Sequence, residues 1–245
     1  KFHLGKGMGK VSIKDIRATY SKDKMISERR NKMWLYYAER LPSFYLTWVF
    51  LRLNISANRT TYMSLIIGLF GCIFLALGSY GTKLSGAIMV TLFLTLDCVD
   101  DNIARYRKSF SPFGEYVNPL AGYVVTAFLY MSLGVGVFMN PNSSLLLTHP
   151  EGFFISFNKE VFLIVGFGSS LSYVLARLIS LRYKTMLISN PDNDSPENAK
   201  SSRFLQIISM ILRNVLGVSG FFMPLLLLAA VFKLLDLLAL FALTG

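Results

Sequence analysis

The sequence predicts an all-α, polytopic membrane protein: an interfacial N-terminal helix, then six transmembrane helices, the sixth cut short where the chain stops, so that five are complete. Three observations predict it. Hydrophobic residues make up 53% of the 245, with Gly left out of the count, whereas soluble domains reach roughly 45–50% with Gly included. Apolar runs at 63–80, 84–96, 123–139, 161–181 and 220–232 approach the roughly 20 residues that cross a bilayer. In lipid each span must satisfy its own backbone hydrogen bonds, which favours helices. Finally, the net charge of +11 gathers at the ends of these runs.

Thirteen Lys and Arg lie at or before Arg59, and Arg105, Arg107 and Lys108 follow the second run. Arg177, Arg182, Lys184, Lys200 and Arg203 flank the end of the fourth, while the intervening loops hold Lys83 and Lys159. The positive-inside rule places the N-terminus, 101–112 and 178–203 in the cytoplasm of a multi-pass protein of the cell membrane. Charges that track span ends suit anionic membrane lipids as partners and argue against nucleic acid. Cys72 and Cys98 both fall in apolar runs, so no disulfide framework is implied.

Residues 1–32 are polar and basic and form a cytoplasmic N-terminal segment; 33–245 read as a single transmembrane domain. Its first part, 33–53, mixes Trp, Tyr and Phe with Arg40, Pro42 and Arg52, as an amphipathic helix lying in the interface does. Spans follow at 59–79, 84–104, 112–138 and 160–183. The remainder, 203–245, divides into two spans broken near Gly217–Gly220 or near Lys233–Asp236, where Lys233 and Asp236 at i,i+3 suggest an ion pair. Gly134, Gly136, Gly166, Gly168, Ser172 and Ala176 are small enough to let the third and fourth spans approach neighbours closely. "NSS" at Asn142 fits a glycosylation acceptor facing the other side.

The chemistry concentrates between 95 and 125. Asp97, Asp100 and Asp101 are spaced i, i+3, i+4, so one helical face carries all three at the end of the second span. Acids at that depth are costly and are kept for function or pairing. Carboxylates so close together repel one another and need a cation. Oxygen-only ligands suit Mg²⁺, Mn²⁺ or Ca²⁺, and with no His or paired Cys nearby Mg²⁺ or Mn²⁺ is favoured over zinc. Asp97 and Asp100 are the expected ligands of one cation, with Asp101 or Asn118 completing the protein's share. Arg105, at i+4 from Asp101, could instead neutralise that acid without metal.

The pattern Asp97-x-x-Asp100-Asp101-x-x-Ala104-Arg105, eight residues, Gly114-x-x-x-Asn118-x-x-x-Gly122 resembles the signature of the CDP-alcohol phosphotransferase (CDP-alcohol phosphatidyltransferase) family. That signature reads D-x-x-D-G-x-x-A-R, eight residues, G-x-x-x-D-x-x-x-D. "ANRTT" at 57–61 is similar to the family's lead into its first span, with Asn58 and Thr61 kept. The resemblance implies a six-helix membrane fold, a homodimer, and a cytoplasmic active site between the second and third spans. It implies transfer of a substituted phosphate from a CDP-linked alcohol to the hydroxyl of a lipid or polyol acceptor, with release of CMP. It also implies that Asp100, Ala104, Arg105, Gly114 and Asn118 contact the nucleotide donor, Arg105 binding its phosphate. Such chemistry rests on charge neutralisation and an oriented nucleophile.

Three positions depart from the signature. Asp101 replaces its glycine, and Asn118 and Gly122 replace its third and fourth acids. Gly122 offers no base, so Glu115, three residues before Asn118, is the first candidate for that role and Asp101 the second. The departures leave three readings: a divergent phosphotransferase, a degenerate member that binds nucleotide or lipid as a scaffold subunit, or an engineered change at Asn118.

Overall fold

The protein is described by a computed structural model covering residues 11–140, 158–189 and 221–242. Expectations for 190–220 and for Asn142 fall outside the described residues, as does the side chain of Lys184. Among the described residues every regular element is helical, and four helices are long and apolar enough to cross a membrane: Ala57–Ala76 (α4), Tyr80–Arg107 (α5), Pro112–Met139 (α6) and the Lys159–Arg182 part of Lys159–Ser189 (α7). These match the four spans read from the sequence to within a few residues. The shorter apolar helix Met223–Phe232 (α8) is followed by Leu235–Phe241 (α9). Their junction is Lys233, in the left-handed region at φ 62°, at one of the two break points the sequence offered.

The N-terminal segment folds onto this body. Helices α1 (Ile13–Ala18) and α2 (Lys22–Asn31) start at Ser12 and Ser21, whose hydroxyls accept backbone N–H groups and so satisfy donors a helix start leaves open. Ile16 is fully buried in a cluster with Phe44, Leu96, Val99 and Ile103, so α1 packs where the helix ending at Arg52 meets α5. A π-helical turn, Leu35–Arg40, leads into α3 (Leu41–Arg52), with Pro42 in its first turn, where its missing N–H costs nothing.

The structure adds which side of this segment is polar: Arg40 is 3% exposed, and Glu39, Ser43 and Thr47 are buried beside it. Tyr37, Tyr45 and Val49 are exposed instead. The polar stripe faces α5: Thr95 donates its hydroxyl to Glu39, and Asn102 donates to Ser43 at 2.9 Å and Thr47 at 3.2 Å. Buried polar groups are tolerated when paired, and α5 supplies most of the pairs, leaving Glu39 Oε1 without one among the described residues. Arg52 does lie outside, over the Trp48 ring at 3.7 Å.

Glycine sets the helix spacings. A Cβ on Gly136 would strike the Leu75 carbonyl oxygen of α4, and one on Gly134 the Phe162 carbonyl oxygen of α7. Gly166 meets Gly134 from the other side, its own Cβ falling 3.0 Å from the Gly134 Cα. The other small residues of α7 do not act this way: a Cβ on Gly168 would meet nothing within 4 Å, and Ser172 and Ala176 are exposed. Asp236 is fully buried and faces the buried Lys83 of α5, not Lys233 as its spacing suggests. Lys233 lies 5.8 Å over the Tyr80 ring.

Candidate active site

Helices α5 and α6 are joined by the short turn 108–111 and both pack on α4, which brings the two halves of the acidic motif together. Lys108 ends α5 in the left-handed conformation, at φ 52°, and Ser111 caps α6 by accepting the Gly114 N–H at 3.0 Å. A Cβ on Gly114 would approach the Ser111 hydroxyl to 3.1 Å and the Asn58 side-chain oxygen of α4 to 3.2 Å. That glycine therefore lets the start of α6 approach Asn58 of α4 closely.

The result is a cleft of about 590 Å³ lined by Asn58 and Thr61 of α4, by Asp97, Asp100, Asp101, Ala104 and Arg105 of α5, by Gly114, Glu115 and Asn118 of α6, and by Lys24 of α2. Every candidate residue read from the sequence is in this set. Gly122 is not, although a side chain there would meet nothing within 4 Å.

The three aspartates have different surroundings. Asp100 is 2% exposed and held at both oxygens: Thr61 donates its hydroxyl to Oδ2 at 2.6 Å, and Asn118 donates its amide to Oδ1 at 3.0 Å. Asp97 is half-buried, and its carboxylate accepts no hydrogen bond from the described residues. Asp101 anchors a basic cluster. Its Oδ2 lies 3.3 Å from Lys24 Nζ, 3.4 Å from Arg40 Nη2 and 3.3 Å from Arg105 Nη1.

Arg40 extends that cluster away from the cleft. It donates to both oxygens of Glu28, at 3.1 and 3.0 Å, and to the Cys98 carbonyl at 3.2 Å. Burial alone would raise the Glu28 carboxyl, but the hydrogen bonds and charge of Arg40 outweigh it and hold the group below its ordinary value. Arg105 Nη2 donates to Asn102 at 2.8 Å. The Tyr20 ring lies 5.2 Å from both guanidiniums.

Among the described residues no three His, Cys, Asp or Glu side chains converge as a metal site. With Asp101 committed to cations, Asp97 and Asp100 are the carboxylates left to test against a metal. Asp97 is unspent, and each Asp100 oxygen keeps a second lone pair beyond its one hydrogen bond. A hard cation that retains waters needs only one or two protein carboxylates together with substrate phosphates. The donor set therefore fits one divalent cation and is too sparse for two.

Apart from Lys24, the residues that line this acid-and-base cleft lie within residues 54–235, which match the family model for CDP-alcohol phosphatidyltransferase. The chain belongs to the CDP-alcohol phosphatidyltransferase family. No curated protein matches it. The family transfers phosphate-linked groups from CDP-alcohols and generally uses divalent metal ions. In this CDP-alcohol phosphatidyltransferase homologue the motif departures have structural counterparts. Asp101 occupies the glycine position with cations from α2 and the π-turn around it, and Asn118 gives Asp100 a donor where an acid would repel it. The sequence missed Lys24, Glu28 and Arg40. Lys24 and Glu28 sit in a run of charges with nothing to single them out; the Glu39–Arg40 pair within an aromatic stretch was the available signal.

Proposed function

We propose that the protein is an integral membrane phosphotransferase of phospholipid or lipid-linked glycan synthesis. It moves a substituted phosphate from a CDP-linked alcohol to a lipid or polyol hydroxyl. The supporting observation is the cleft itself: Asp97, Asp100, Ala104 and Arg105 line it together with Gly114, Glu115 and Asn118. The cleft opens to the cytoplasm, the side on which basic residues collect, in the cell membrane, and the unit is a homodimer.

The acceptor oxygen attacks the donor's distal phosphorus. The bond from that phosphorus to the bridging oxygen breaks, and CMP leaves with the bridging oxygen. Asp97 and Asp100 would hold one Mg²⁺ or Mn²⁺, with Asn118 or Asp101 completing the set; bound there, the cation neutralises charge on the transferring phosphate. Arg105 orients the donor phosphate, and Ala104 and Gly114 leave room for the nucleotide against the backbone. Glu115 takes the acceptor's proton. It stands in the first turn of α6, and Pro119 removes the N–H that would otherwise bond its backbone carbonyl. Asp101 is the second candidate base, already engaged by three cations.

A second reading, a scaffold subunit that binds nucleotide or lipid without turnover, draws on Gly122, which leaves the signature's last acid position empty. CMP release from purified protein, supplied with Mg²⁺ or Mn²⁺, CDP-alcohols and polyol acceptors, separates the two. Glu115→Gln is expected to lower turnover by roughly 10²–10⁴-fold, the usual contribution of a positioned base. Full activity in that variant removes Glu115 from the role. No turnover in the parent, with activity appearing in Gly122→Asp, establishes the scaffold reading.

A further inference from the structure

The basic cluster around Asp101 includes a residue from outside the family-matched region. Lys24 belongs to α2, thirty residues before position 54, yet it lines the cleft beside the motif acids. It is not a free surface lysine. Its ammonium sits 3.3 Å from Asp101 Oδ2 and 6.0 Å over the Tyr20 ring, and that ring also carries Arg40 and Arg105. An ammonium has three N–H donors. Asp101 takes one, and with 42% of the side chain exposed the others are open to the cleft.

The charge balance shows what those donors suit. Lys24, Arg40 and Arg105 pair with two carboxylates, Asp101 and Glu28, so within this cluster the cations outnumber the acids by one. Asn118 and Gly122 have removed two acids from the motif, and with them the means to hold a second metal ion. A diphosphate entering the cleft therefore brings charge that one cation and Arg105 neutralise incompletely. An ammonium can meet phosphate oxygens from many directions as a point charge, so it needs only to be anchored near them. Asp101, the acid at the motif's glycine position, is that anchor.

On the reading that the cleft takes a CDP-linked donor, we propose that Lys24 is a binding residue for the donor's diphosphate, delivered by the N-terminal helix α2 and held in place by Asp101. It does the charge work that the missing acids would have given to a second metal ion.

The test is calorimetric titration of CDP into detergent-solubilised full chain, with and without Mg²⁺, for the parent, Lys24→Met and Lys24→Arg, with melting of each unliganded protein measured alongside. Loss of a charge-assisted hydrogen bond predicts CDP binding weaker by about tenfold or more in Lys24→Met, in both conditions. Unliganded melting should be unchanged, and Lys24→Arg should recover most of the affinity. Equal CDP affinity in parent and Lys24→Met overturns the inference alone and leaves the nucleotide cleft standing. Weaker binding that comes with lowered unliganded melting, and that Lys24→Arg does not recover, makes Lys24 a clamp for α2 and also overturns it. A parent that binds no CDP removes the nucleotide reading, and this inference with it.

Discussion

Replacing Arg40 by methionine is expected to be the most damaging single change outside the transmembrane core. Arg40 is 3% exposed and holds Glu28 through two hydrogen bonds of 3.0 and 3.1 Å. The Glu28 side chain is 11% exposed, so without Arg40 it becomes a nearly buried carboxylate with no guanidinium. The Cys98 carbonyl loses its 3.2 Å donor at the same time. Removing one partner of a buried pair costs about 3–5 kcal/mol. In a chain of this size each kcal/mol moves the melting midpoint by about 2–4 °C, so a fall of roughly 6–20 °C is expected. Much of that loss comes from the stranded carboxylate and not from the missing arginine. Glu28→Met combined with Arg40→Met should therefore recover about 2 kcal/mol or more, since apolar replacement of a buried pair is often near neutral. Denaturation of the parent, both single variants and the double variant in one detergent gives the cycle. A loss below about 1 kcal/mol in Arg40→Met, or a double variant no more stable than Arg40→Met, would refute the reasoning.

Other perturbations probe separate parts of the molecule. Asn118→Asp sets a carboxylate 3.0 Å from Asp100 Oδ1; melting in chelator should fall and the Mg²⁺-induced rise should exceed the parent's, and a rise no larger than the parent's counts against Asp100 facing a cation. Gly136→Val drives a side chain into the Leu75 carbonyl of α4, so an overpacking loss of about 1–3 kcal/mol is expected; parent-like melting would mean that α4 and α6 do not touch there. Glu28 is held below its ordinary value by Arg40 in spite of burial, so its contribution to stability is complete above the ordinary carboxylate value of about 4.3 and is lost as pH falls through the lower folded value. Protease cutting within α1 and α2 should therefore rise in that acid range in the parent, and a profile unchanged by Glu28→Gln would show that another group controls it.

The four long spans were legible because lipid leaves a chain few options: an apolar run of sufficient length has to be a helix, and serine at 56, 79 and 111 marks three starts. The cleft was legible because its residues are close in sequence, on two consecutive helices. Its wall from α2 and the π-turn was not. The pairs Lys24–Asp101 and Arg40–Asp101 span 77 and 61 residues, and no periodicity encodes such contacts. The inward placement of Arg40 was illegible for a related reason: its partners, Glu28 of α2 and the Cys98 carbonyl and Asp101 of α5, come from two other helices. Gly168, Ser172 and Ala176 resemble Gly134 and Gly166 in type, and only their position around the helix distinguishes them.

The inward polar stripe of the helix ending at Arg52 bears on the order of assembly. Glu39, Arg40, Ser43 and Thr47 find partners on Thr95, Cys98, Asp101 and Asn102 of α5, all of them made after the stripe itself has left the ribosome. Until α5 is in place, those groups have only water and lipid headgroups to bond, and polar groups without partners are excluded from hydrocarbon. The N-terminal helices must therefore wait at the membrane surface while the first two spans insert, and dock when the end of α5 emerges. The cleft wall that carries Lys24 thus docks on α5 before α6 is complete, and α6, with Gly114, Glu115 and Asn118, closes the cleft afterwards.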